Sequence, residues 1–101
     1  MKLGRVIGRV TLNKAVPSLK GGRYVIVSPM SLKLMRESMD GDPHPEKMSN
    51  AFSPVVYDAM GAWTGQIIGY VEGREAAAPF EERTPVDAIN VAIMDRIELA
   101  K

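Results

Sequence analysis

The stretch that most constrains this chain runs from Asp58 to Gly73. A strand-like run, Pro54-Val55-Val56-Tyr57, ends on the carboxylate of Asp58. A loop punctuated by Gly61 and Gly65 follows, and then a second β-rich run from Gln66 to Val71, closed by Gly73. Glycine takes positive φ without steric penalty and lets another backbone approach closely. A loop of this composition between two strands is either a tight turn or a contact surface, and in both cases the flanking runs are short strands, not helix.

The rest of the chain repeats that grammar. Arg5 to Leu12 alternates, with Val6, Gly8, Val10 and Leu12 on one parity, as expected of a half-buried strand. Gly8 inside it predicts a bend, a bulge or a close backbone approach. Asn13 to Gly22 reads as a loop broken by Pro17 and the Gly21-Gly22 pair. Tyr24 to Val27 is a short apolar strand ended by Pro29. Met30 to Met35 fits strand or helix. Arg36 to Asn50, polar and interrupted by Gly41, Pro43 and Pro45, reads as an exposed loop. Phe52 to Tyr57 is a third strand and Gln66 to Val71 a fourth. Arg74 to Glu82, rich in Ala and Glu, suits a short helix limited by Pro79. In the last strand region, Val86 to Ile97, Ile89, Val91 and Ile93 alternate with Asn90, Ala92 and Met94. Short strands separated by Gly/Pro turns, with little helix, imply an all-β barrel or sandwich.

At 101 residues the chain is expected to form one domain, 1–101. A core of that size is modest, and oligomerisation is a common supplement. Net charge is +1, which gives no strong basic field for nucleic acid. Cysteine is absent, which excludes disulfides, thiolate metal sites and cysteine nucleophiles, and fits a reducing cytosol. No apolar run approaches the ~20 residues that span a bilayer, and the N-terminus lacks a signal-peptide layout. No membrane association is expected, and the location implied is cytoplasmic.

The chemical motifs are sparse. His44, the only histidine, sits between Pro43 and Pro45 with only Asp40, Asp42 and Glu46 near it, and reads as a solvated loop residue, not a metal ligand. Asp58, Asp87 and Asp95 fall on different elements and are expected to satisfy backbone donors at strand ends and turns. No serine has a triad arrangement with the histidine. Gly4-Arg5-Val6-Ile7-Gly8 lacks the Lys-Ser/Thr ending of a phosphate loop. No cofactor, metal or catalytic constellation emerges.

One resemblance covers nearly the whole chain. Asp58-x-x-Gly61-Ala62-x-x-Gly65, followed by an apolar strand and Gly73, resembles the signature of the bacterial microcompartment vertex proteins, the EutN/CcmL type. Met1 to Val10 resembles that family's first strand, Pro17-Ser18-Leu19 with Gly21 fits the turn before the second, and Pro85-Val86-Asp87-Ala88 with Val91 to Asp95 resembles the last. The resemblance implies a small five-stranded OB-like β-barrel with a short helix before the last strand. It implies a structural, non-enzymatic role: a homopentamer capping the vertices of a microcompartment shell, with hexameric shell proteins as neighbours. The chain departs from the family at Trp63, where glycine is usual, and at Gln66, which replaces a glutamate. An indole in a glycine loop is hard to bury in one small barrel, and tryptophan is enriched in interface cores. Asp58, Gly61, Ala62, Trp63, Thr64 and Gly65 are therefore the candidate subunit-interface or pore-rim residues. The competing reading is an OB-type binder of single-stranded nucleic acid, with Tyr24, Tyr57, Trp63 and Tyr70 as stacking platforms.

Overall fold

A computed structural model describes residues 1–39 and 52–100. Five strands carry the fold: β1 (Lys2–Val10), β2 (Arg23–Pro29), β3 (Val55–Asp58), β4 (Ile67–Glu72) and β5 (Ala88–Ile93). They close into a barrel in the order β1-β2-β3-β5-β4. Every pairing is antiparallel except β3 with β5, which meet in parallel at Tyr57 and Ile89. Closure removes the unpaired edges that an open five-stranded sheet would expose. The expected all-β, five-stranded OB-like barrel is the architecture found.

The alternation of the strands explains the core. Val6, Val25, Val27, Val56, Ile68, Tyr70 and Ala88 point inward, and Ile93 packs against them. The eighth core member, Ala62, comes from the β3–β4 loop and not from a strand. The loop on which the sequence reading centred thus closes one part of the barrel interior.

Two bulges interrupt the expected periodicity. In β1 the pairing steps from Val6↔Val27 to Gly8↔Ile26, so Ile7 is the extra residue, beside the glycine that predicted a bulge. In β5 the pairing steps from Tyr70↔Asn90 to Gly69↔Ala92, leaving Val91 without a partner. The Ile89-Val91-Ile93 alternation therefore does not describe one inner face. Ala88, Ile89 and Asn90 are all buried, whereas Val91 is 43% exposed. An inserted residue reverses the parity of everything beyond it, which a period-2 reading does not anticipate.

Two other expectations change. A helix, α1 (Leu32–Met39), occupies the ambiguous Met30–Met35 segment and the start of the expected Arg36–Asn50 loop. It falls in a segment free of Gly and Pro, with Lys33, Leu34, Met35 and Arg36 as good helix formers. The remainder of that expected loop, His44 included, lies outside the described residues. Before β5, the expected short helix is a single 3₁₀ turn, Arg74–Ala77. It starts from Gly73 at φ 87° and buries Ala76; Pro79 stands in the way of its continuation.

Candidate functional site: the β3–β4 loop

The loop from Ala59 to Gln66 is held from below by one carboxylate. Asp58, the last residue of β3, is 1% exposed. Its Oδ1 accepts the backbone N–H of Met60 at 2.9 Å, and its Oδ2 accepts that of Ala62 at 2.6 Å. Asn90 on β5 donates its Nδ2 to the same Oδ1 at 2.9 Å. Asn90 Oδ1 in turn accepts the N–H of Ala92 at 3.1 Å, next to the β5 bulge. Arg23, the register partner of Asp58 on β2, donates Nη2 to the carbonyl of Ala62 at 3.3 Å. Three strands and the loop therefore converge on one buried charge. Burial on its own would raise the Asp58 pKa. The hydrogen bonds from Asn90, Met60 and Ala62, with the Arg23 charge, outweigh that and hold it below the ordinary 3.8. The carboxylate is the ionised anchor of a fold element, as its position at a strand end predicts.

The upper half of the loop is a turn. Gln66 N–H returns to the carbonyl of Trp63 at 3.1 Å, and Gln66 Oε1 accepts the N–H of Trp63 at 2.7 Å. Gly65 fills the turn position that demands positive φ, at 96°, and Gly61 precedes it at 82°. The turn is tied to β1 from both sides: Gly65 N–H donates to the carbonyl of Val6 at 2.8 Å, and Val6 N–H to that of Gln66 at 2.9 Å.

These bonds sort the six candidate residues into two layers. Asp58 and Ala62 lie underneath, each 1% exposed. Gly61, Trp63, Thr64 and Gly65 form the outer surface. The Trp63 indole is 60% exposed, so the barrel's own core does not absorb it. Among the described residues its ring partner is a cation: the Arg9 guanidinium lies 5.1 Å from the ring centroid, within cation–π range.

The sequence reading missed Asn90, Arg23 and Arg9. Asn90 left a trace, since an amide between Ile89 and Val91 in an apolar strand needs a buried partner. Arg23 and Arg9 left none, because their roles follow from which strands become neighbours. The stacking-platform reading finds little here: Tyr24 and Tyr70 are buried at 7% and 0% exposure. Tyr57 is edge-on between Tyr24 and Phe80, with centroids 5.6 and 4.8 Å away. Among the described residues no cluster of three metal-ligating side chains occurs. No helix among them is long and apolar enough to cross a membrane.

The family described as "Ethanolamine utilisation protein EutN/carboxysome" matches residues 1–95. This chain belongs to the EutN/CcmL family. Among solved structures, the GrpN pentameric microcompartment shell protein from Rhodospirillum rubrum is similar at 28% identity and TM-score 0.76, with 100% of both chains covered. CcmL of Gloeobacter violaceus is similar at 27% identity and TM-score 0.73, over 98% of this chain and 90% of that one. EutN from Escherichia coli, at 23% identity and TM-score 0.71 over 98% and 90%, shares the fold. Comparison by sequence with curated proteins gave no significant match. In this chain the β3–β4 loop carries an exposed indole on a turn braced by Asp58, Gln66 and β1.

Proposed function

We propose that this chain closes into a homopentamer that caps the vertices of a microcompartment shell in the cytoplasm, among hexameric shell proteins, and performs no catalysis. The observation that carries this reading is the full-length likeness to a pentameric microcompartment shell protein, with both chains covered completely. A shell tiled by hexamers gains curvature at points of fivefold symmetry, and a cyclic pentamer is made by one head-to-tail contact repeated until it closes. The β3–β4 loop suits that contact or the rim beside it. Trp63 is a large apolar side chain held out of its own core by a turn that Asp58, Gln66 and Val6 fix in place. Pre-organised aromatic anchors of this kind dominate interface energetics.

The deciding measurement is native mass. Five chains of 11.0 kDa give about 55 kDa by native mass spectrometry or light scattering. A monomer or dimer at micromolar concentration would overturn the vertex reading. Trp63, the only tryptophan, reports the contact: its emission should shift to the blue as concentration rises through the assembly range. Trp63→Gly should leave a folded barrel whose association is weaker by on the order of 2 kcal/mol per contact.

A further inference from the structure

We infer that the ring contact is electrostatically keyed: the cationic β1–β2 groove of one subunit receives the acidic Glu75–Asp87 segment of the next copy. The inference rests on the pentameric reading and assigns the two surfaces that meet.

Charge is segregated along this chain to a degree the net value of +1 conceals. Residues 1–36 contain eight Lys or Arg and no Asp or Glu. Four of those cations, Arg9, Lys14, Lys20 and Arg23, line a groove of about 690 Å³ between the end of β1 and the start of β2, and no carboxylate lines it. Exposed apolar side chains accompany them: Leu12 lines the groove at 41% exposure, and Val16, in the same loop, is 50% exposed. The oppositely charged surface lies on the β4–β5 connection. Glu75, Glu81, Glu82 and Asp87 are exposed there, against Arg74 and Arg83, which leaves residues 74–87 with net charge −2. Two shallow clefts of about 670 Å³ each lie on this connection: one is lined by Phe80, Glu81 and Glu82 together with Arg74 and Arg83, the other by Val86 and Asp87 together with Arg74, so the excess of negative charge belongs to the exposed carboxylates of the connection and not to the clefts themselves.

Within one chain the two surfaces leave each other unused. Lys2 pairs with Glu72 at 2.8 Å, and Arg96 pairs with Glu98, but no groove cation is paired with a carboxylate of the connection among the described residues. Tyr57 stands between them, its ring against Tyr24 of the groove on one side and Phe80 of the connection on the other. A ring contact is heterologous: two different patches of the same chain must be complementary. An apolar centre with a charged rim is the usual anatomy of such a patch, and opposite net charges favour the correct register and accelerate encounter. The groove is also continuous with the proposed Trp63 surface, because Arg9 lines the one and covers the other.

Charge reversal tests the assignment in the full chain, read by native mass against concentration. Lys14→Glu with Lys20→Glu, and separately Glu81→Lys with Glu82→Lys, should each raise the concentration at which the ring dissociates by tenfold or more. Circular dichroism should show the barrel folded in both, since all four side chains are exposed. Mixing the two variants cannot fully restore a ring, but the quadruple variant, with the charges exchanged, should recover most of the lost association. Rising salt should weaken the wild-type ring. A wild-type ring that forms while both reversals leave its dissociation unchanged overturns this inference and leaves the pentameric reading standing. Unchanged assembly with loss of binding to inorganic phosphate or a single-stranded oligonucleotide likewise overturns it, in favour of an anion site. A wild-type chain that never forms a ring overturns both.

Discussion

The β3–β4 loop and the β1–β2 loop differ in what holds them. Residues 59–66 are pinned by a buried carboxylate that collects donors from its own loop and from β5, and by two backbone bonds to β1. Residues 11–22 are held mostly by bonds within their own turns. Leu19 N–H reaches Val16 O at 3.0 Å, Lys20 N–H reaches Pro17 O at 3.1 Å, and Gly22 N–H reaches Leu19 O at 3.4 Å. Among the described residues one side chain from outside reaches in, the Tyr24 hydroxyl, which donates to Leu19 O at 3.0 Å. The first loop also supplies a core residue, Ala62, whereas the second exposes most of its length. The contrast separates two ways of presenting a surface. An anchored loop holds a single aromatic in a fixed place. A loop bonded mostly within itself, with a single tyrosine hydroxyl reaching in, spreads charge over a broad face.

The largest effect expected from this contrast is that of Asp58→Ala. It strands the buried N–H of Ala62 and the buried Asn90 amide, each costing about 1–3 kcal/mol when unsatisfied, and frees the N–H of the exposed Met60 to water. A loss of about 3 kcal/mol or more is expected, which for a domain of this size lowers Tm by roughly 10–25 °C at fixed protein concentration. Thermal unfolding at fixed concentration checks it. A variant that melts within a few degrees of wild type would show that the loop holds itself, and the contrast with β1–β2 would disappear.

Acid gives a milder version of the same break. The folded pKa of Asp58 lies below its unfolded value, so its contribution to stability is complete above about pH 4. It is lost as pH falls toward the lower, folded value. The difference in unfolding free energy between wild type and Asp58→Asn should therefore shrink as pH falls below about 4. A difference that stays constant from pH 6 to pH 3 would remove the charge from the account.

Much of the anchored loop was legible in the sequence, and the reason is local. A carboxylate at the end of an apolar run, followed by a loop with glycines at two turn positions, encodes an Asx-type brace within eight residues. The five strands were legible for the same reason, since each is a short apolar or alternating run with its own breakers, although the alternation in β5 did not identify its inner face. What depends on neighbours was not legible. Asn90 meets Asp58 only because β5 lies parallel to β3, and Arg23 faces it only through the β2–β3 register. The bulge at Val91 exchanged the inward and outward faces of β5. The segregation of charge was readable in principle, but net charge averages it away, and only the folded arrangement shows that the cations share a groove.

Gly61→Ala probes the anchored loop more gently. Gly61 sits at φ 82°, between the two N–H groups that Asp58 binds. A Cβ there would meet no close neighbour, since the nearest atom is a nitrogen of Arg23 at 4.0 Å. The penalty is therefore one of backbone conformation, about 1–2 kcal/mol for a non-glycine residue held in the left-handed region. Chemical denaturation should show that loss with an unchanged m-value, because the barrel still buries the same surface.

The smallest effect is expected on the other side of the comparison, from Tyr24→Phe. The substitution removes the bond from the Tyr24 hydroxyl to the carbonyl of Leu19 and keeps the ring, which packs edge-on to Tyr57. Burial raises the pKa of that hydroxyl above 10.0, with the neighbouring Tyr57 adding to the shift, so it is a neutral donor throughout the physiological range. A neutral hydrogen bond contributes about 0.5–1.5 kcal/mol net. The low end applies here, since Leu19 is only half-buried and water can replace the lost donor at its carbonyl. Global stability should fall by about 0.5 kcal/mol, a change of a few degrees in Tm. Hydrogen exchange should localise the response: amides of residues 19–22 exchange faster, while those of Ala62, Gly65 and Gln66 keep their protection. Faster exchange in both loops would mean that the two are coupled through the barrel end and that the β1–β2 face is no more adaptable than the Trp63 turn. Protection lost only between β1 and β2 would confirm that this chain separates a fixed anchor from a yielding charged surface.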